Sequence, residues 1–99
     1  MLKKYVIERD VPGIGNSSRT ELGDAAVVSN AALAELDGIQ WQHSYVTNDK
    51  TFCIYLAESY DKILAHANRS GFPATKVTEV VDIFDPSTAI HGAAASVAA

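Results

Sequence analysis

Strand, helix, strand, strand, helix, strand is the order legible in these 99 residues. That order predicts an α+β domain of the ferredoxin-like βαββαβ kind, a four-stranded antiparallel sheet with both helices on one face. Three observations set it. Short runs rich in Val, Ile, Tyr, Phe and Trp open, bisect and close the chain. Two stretches between them repeat apolar residues at helical spacing. Gly, Pro, Asn and Asp fall at the junctions, where turns need them. With 47% hydrophobic and 20% charged residues, the chain has the composition of a packed domain and not of a disordered one. Its length fits a single domain, placed at residues 1–89, followed by an Ala-rich tail at 90–99.

The first strand is read at residues 3–11, Lys-Lys-Tyr-Val-Ile-Glu-Arg-Asp-Val, and Pro12-Gly13 stops it. Ser18 and Glu21 have the spacing of a capping box. From there Leu22, Ala25, Ala26, Ser29, Leu33 and Leu36 form a helical stripe, which Asp37-Gly38 should end through a left-handed glycine. Residues 39–46 and 51–57 flank Thr47-Asn48-Asp49-Lys50, a hairpin with its tip at Asn48-Asp49. Ser59 is a plausible N-cap for a second helix striped by Tyr60, Ile63, Leu64 and Ala67, and Gly71-Phe72-Pro73 closes it. Residues 76–84 make the last strand, up to Asp85-Pro86.

A tip at Asn48-Asp49 pairs Val46 with Thr51, Tyr45 with Phe52, Ser44 with Cys53 and His43 with Ile54. Alternation then gives one face to Ile39, Trp41, His43, Tyr45, Phe52, Ile54 and Leu56, the expected floor for the helices. The other face takes Gln40, Gln42, Ser44, Thr51, Cys53 and Tyr55. It is polar but uncharged, which suits a sheet stacked on a second copy. The expected assembly is therefore a dimeric α/β barrel, or a higher homo-oligomer.

A formal charge of −4 with scattered basic residues excludes a phosphate-binding nucleic-acid protein. No run of about 18 apolar residues spans a membrane. No apolar region follows the N-terminal lysines as in a signal peptide. A single cysteine, Cys53, excludes an internal disulfide and fits a reducing cytoplasm. Pro12-Gly13-Ile14-Gly15 lacks the Gly-Lys-Ser/Thr ending of a phosphate loop. The serines lack the Gly-x-Ser-x-Gly elbow of a hydrolase.

Five segments taken together resemble one small bacterial family. They are Lys4–Asp10 with Pro12-Gly13, then Ile39-Gln40-Trp41 with His43–Thr47, then His66-Ala67 with Gly71-Phe72-Pro73, then Glu79-Val80, and last Asp85–Ala89. The family was long catalogued as a domain of unknown function and includes a protein described as nickel-binding, ferredoxin-like and dimeric. The resemblance implies the same fold, a dimer, and nickel as bound metal, held for sequestration or storage.

Nickel accepts imidazole and carboxylate oxygen. The chain offers His43, His66 and His91, at no short ligand spacing, so a site must be assembled from separate elements. His43 is expected toward the helices, and His66 at the side of its helix stripe, on the boundary with the sheet. Glu8 shares a strand face with Val6, and beneath a helix it would need a partner. His43, His66 and Glu8 are thus the candidate metal ligands. Their plain alternatives are a core or edge histidine, a half-exposed structural histidine, and a strand-end carboxylate paired with lysine. His91 reads as a bystander, Arg9 as an ion-pair partner of Glu79, and Cys53 as packing at a subunit contact. A different class of function stays open: a cofactor-independent oxygenase or isomerase, with a pocket between sheet and helices and His43, Tyr45 and His66 as its polar groups.

Overall fold

The computed structural model describes residues 1–93. Its elements are β1 (Lys3–Asp10), α1 (Arg19–Ala34), β2 (Ile39–Val46), β3 (Lys50–Ala57), α2 (Tyr60–Ser70) and β4 (Lys76–Val80), with short 3-10 turns at Ile14–Asn16 and Pro86–His91. The strands lie in the order β2-β3-β1-β4 and every neighbouring pair is antiparallel. Both helices cover the same face. The fold is the ferredoxin-like α+β sheet expected, open at both edges and not closed into a barrel within one chain.

Local chemistry explains the helix ends. Ser18 Oγ accepts from Glu21 N at 3.1 Å, and Glu21 accepts from Ser18 N at 2.9 Å, so two of the free N–H groups at the start of α1 are satisfied. At the other end α1 stops at Ala34, short of Asp37-Gly38. Glu35 N bonds Ala32 O at 3.2 Å and Leu36 N bonds Leu33 O at 3.1 Å, a tightening that unwinds the helix early. Gly38 (φ +72°) then turns the chain into β2 and accepts from Glu58 N at 2.8 Å. Gly71 (φ +78°) caps α2 as its sequence position predicts.

The hairpin register is as expected from Val46↔Thr51 through His43↔Ile54. Its tip is Asn48-Asp49 as expected, but neither residue adopts positive φ, which among the described residues only glycines have. Thr47 closes the turn instead, its hydroxyl donating to Lys50 O at 2.8 Å and accepting from Lys50 N at 3.1 Å. Beyond His43 a β-bulge intervenes, and Trp41 pairs with Tyr55, Gln40 with Leu56 and Ile39 with Ala57. The extra residue re-phases the strand. Ile39 and Trp41 point toward the helices as expected, whereas His43 and Tyr45 point away.

The same correction applies to β1 and β3. The helix-covered face carries Tyr5, Ile7 and Arg9 of β1 and Cys53, Tyr55 and Ala57 of β3, all buried. Val6, Glu8, Phe52, Ile54 and Leu56 lie on the uncovered face. Thus Glu8 is not beneath a helix and Cys53 is not on the open face. Both faces of β3 are apolar, so alternation alone does not say which side the helices take. The side with the smaller residues Cys53 and Ala57 takes it. Trp41 is half-buried at the edge of this core.

β4 ends at Val80 and not at Phe84, because β1 begins at Lys3 and Lys4 pairs with Val80. No strand remains for the next residues, and Val81, Ile83 and Phe84 are 91%, 62% and 88% exposed. Asp85 caps the 3-10 turn that follows, accepting from Ser87 N at 2.9 Å. Of the tail placed at 90–99, residues 94–99 lie outside the described residues.

Candidate functional site

Between α1 and the sheet lies a cavity of about 410 Å³. Its origin is steric. Ala25 and Ala26 stand on the inner side of α1 where larger residues would reach the sheet, so helix and strands part around empty space. Leu22, Ile14, Trp41 and Phe72 complete a mainly apolar wall, and Ser29, Tyr55 and Arg9 bring polar groups to it.

Arg9 was expected to face away from the helices and to pair with Glu79. Instead it is 3% exposed. Its Nη1 donates to Pro73 O at 2.7 Å and to Phe72 O at 3.4 Å, and its guanidinium lies 5.9 Å from the centre of the Tyr55 ring. Its buried Nη2 has no hydrogen-bond partner among the described residues. Glu79 pairs with Lys3 instead, at 3.7 Å. Burial turns Arg9 inward because its stem continues the stripe of Tyr5 and Ile7, and carbonyl oxygens after α2 receive its head.

His66 is 1% exposed, not at a boundary. With Ile63 and Ala67 it forms the buried stripe of α2, one helical turn wide. Its Nε2 and Ser29 Oγ share a hydrogen bond of 3.2 Å, which joins the two helices, and its ring lies 5.2 Å from that of Tyr55. Burial, and then the Arg9 charge, hold the imidazole pKa below its ordinary 6.5. Burial raises the Tyr55 phenol, with Ser29 and Arg9 opposing it. At neutral pH both rings are uncharged, so Arg9 is the one charge in this cluster.

A stability test follows from His66. Unfolded, the ring titrates near 6.5; folded, it titrates lower. Between those values the unfolded chain binds more protons, so stability is fully present above about pH 6.5 and is lost as pH falls through the folded value. Urea unfolding at about pH 7.5 and about pH 5.5 should show the loss, and His66→Leu should flatten it. An equal slope in the variant would mean that other groups titrate.

The three expected metal ligands do not meet. His66 is inside the helical layer. His43 is exposed on the open face, its Nε2 sharing a 3.0 Å hydrogen bond with the Tyr45 hydroxyl and its ring edge-on to that of Tyr45. Glu8 is on the open face too, but β3 separates β1 from β2, and Lys50 Nζ lies 3.9 Å from its Oε1. His91 is exposed in the last 3-10 turn. Among the described residues no group of three His, Cys, Asp or Glu side chains could hold an ion. Sequence reasoning missed Arg9 and Tyr55 as parts of a site. The available signal was the β1 alternation Tyr5, Ile7, Arg9, together with the polar Ser29 inside the α1 stripe.

A small antiparallel sheet with two helices on one side defines a ferredoxin-like α+β protein. Among the described residues no helix is long and apolar enough to cross a membrane. The chain belongs to the SCO4226-like family, described as nickel responsive, whose model matches residues 5–80. The crystal structure of SCO4226 from Streptomyces coelicolor A3(2) shares the fold, with a TM-score of 0.70 at 13% identity over 82% of this chain and 99% of that one. No curated protein sequence matches the chain.

Proposed function

We propose that this chain handles nickel as a homodimer, binding the ion for sequestration or storage in the cytoplasm. The carrying observation is the open sheet face, where Val6, Phe52, Ile54 and Leu56 lie uncovered while both helices pack on the other side. Such a face is stabilised by stacking on a second copy. The exposed Val81, Ile83 and Phe84 add apolar surface for the same purpose. Family membership supports the metal. Since one chain does not assemble a site, the ligands would come from two copies, with His43 and Glu8 as the groups on the stacked face and His66 outside the set. The buried thiol of Cys53 fits a reducing compartment.

Nickel titration calorimetry and sedimentation on tag-free protein test this reading. Wild type should sediment as a dimer and bind nickel more tightly than roughly millimolar. Ile54→Glu places a charge in the stacked face and should give a monomer without specific nickel uptake. His43→Ala should stay folded and dimeric and lose the ion. A wild-type monomer at all concentrations, or unchanged stoichiometry in His43→Ala, removes the proposal.

The cavity favours a second reading, a cofactor-independent enzyme acting on a small molecule, with Tyr55 and Ser29 among its hydrogen-bonding groups. Its volume falls within the roughly 300–1,000 Å³ of small-molecule sites.

A further inference from the structure

We infer that the cavity between α1 and the sheet binds a small organic monoanion, a carboxylate carried on an apolar body, with Arg9 as its charge partner. The inference rests on the cavity being a small-molecule site and is independent of whether the chain is an enzyme. Its first support is the distribution of charge. The chain has 12 acidic and 8 basic residues, yet Arg9 and Arg19 line the cavity and no Asp or Glu does. An acidic chain has thus kept its carboxylates out of this one cavity.

The second support is the state of Arg9. A buried guanidinium is costly unless paired. Here its polar contacts are the neutral carbonyls of Pro73 and Phe72 and the face of Tyr55. Among the described residues no carboxylate forms an ion pair with it, and Nη2 is unpartnered. The two carbonyls fix the group's position without neutralising it. That is the state of a charge held ready for an anion, since a guanidinium matches a carboxylate in geometry. Tyr55 and Ser29 supply hydroxyls beside it.

The third support is what the walls exclude. A divalent cation would meet the charges of two arginines and no carboxylate to offset them, with His43 and Cys53 as the only metal-ligating types in the lining. Inorganic phosphate is strongly hydrated and would be stripped against Leu22, Ala25, Ala26 and Trp41. A neutral apolar molecule would fill the space and leave the charge unpaired. An acid with an apolar body satisfies both ends.

Trp41 is the single tryptophan and lines the cavity, so its fluorescence reports occupancy. Cyclohexanecarboxylate and cyclohexanecarboxamide, neither of which absorbs where tryptophan does, serve as probes, with calorimetry as a second readout. Wild type should bind the acid saturably and the amide at least tenfold more weakly. Arg9→Met keeps the apolar stem and should stay folded by circular dichroism while binding acid no better than amide. Should Arg9→Met fail to fold, Ala25→Phe fills the cavity without touching Arg9 and should abolish acid binding. Equal binding of acid and amide by wild type, lost in Ala25→Phe, would overturn the anion and leave the cavity as a site. Acid binding unchanged in Arg9→Met would also overturn it. No saturable binding of either probe would overturn the anion and the small-molecule site together.

Discussion

Tyr55→Ala is expected to lower the unfolding free energy by about 3–5 kcal/mol, the range for deleting a fully buried aromatic ring. Tyr55 is 2% exposed at the centre of β3. It pairs with Tyr5 of β1 and Trp41 of β2, stacks on the Trp41 ring at 6.4 Å, meets the His66 ring and lies beneath the Arg9 guanidinium. Truncation removes contacts with three elements at once and takes the aromatic face away from a buried charge. A domain of this size has a total stability of about 5–15 kcal/mol, so the variant should populate unfolded chains at modest urea. Tyr55→Phe retains the ring and its packing and should cost no more than about 1 kcal/mol. A urea midpoint for Tyr55→Ala within about 1 kcal/mol of wild type would show that the ring does not hold the layers together.

Ile63→Ala should cost about 2–5 kcal/mol. Ile63 is 1% exposed and is the large aliphatic residue of the buried α2 stripe, whose other members are His66 and Ala67. Without it the helix keeps two polar links to α1, the buried Ser29–His66 bond and the exposed ion pair of Arg69 with the C-cap residue Glu35, and little apolar area on the sheet. Hydrogen exchange should accordingly rise first in α2, before β1 and β3. Val28, 46% exposed on α1, is the control: Val28→Ala should change stability by no more than about 0.5 kcal/mol. Equal costs at the two positions would mean that α2 is not packed through Ile63.

Order and type of elements were legible because each is encoded locally. The capping box at Ser18 and Glu21, the glycine after α2 and the hairpin register from Val46 to His43 depend on neighbours within a few residues. Which way each strand faces was not legible, for three reasons of different kinds. β3 is apolar on both sides, so Phe52, Ile54 and Leu56 made as good a floor as Cys53, Tyr55 and Ala57. β2 contains a bulge, which adds a residue without any Gly or Pro to mark it. β1 buries a charged residue, and Arg9 could be placed inside only by knowing that the carbonyls of Phe72 and Pro73 return to meet it from about sixty positions away. The expected orientations of His43 and Glu8 inherited these errors of phase. The cavity is made by what Ala25 and Ala26 lack, and absent volume leaves little trace in a sequence.

The bulge in β2 works as a one-residue phase shifter between the two sides of the protein. Below it, Trp41 belongs to the cavity; above it, His43 and Tyr45 belong to the open face. Ironing out the bulge by taking Gln42 into the regular ladder would turn the upper half of the strand over. Tyr45 would then swing into the cavity while Ser44 and Val46 moved outside, so a change of register alone, with no new side chain, would trade cavity volume for contact surface. Interior and exterior at this edge are geared to each other, and the hairpin cannot be retuned on one side without moving the other.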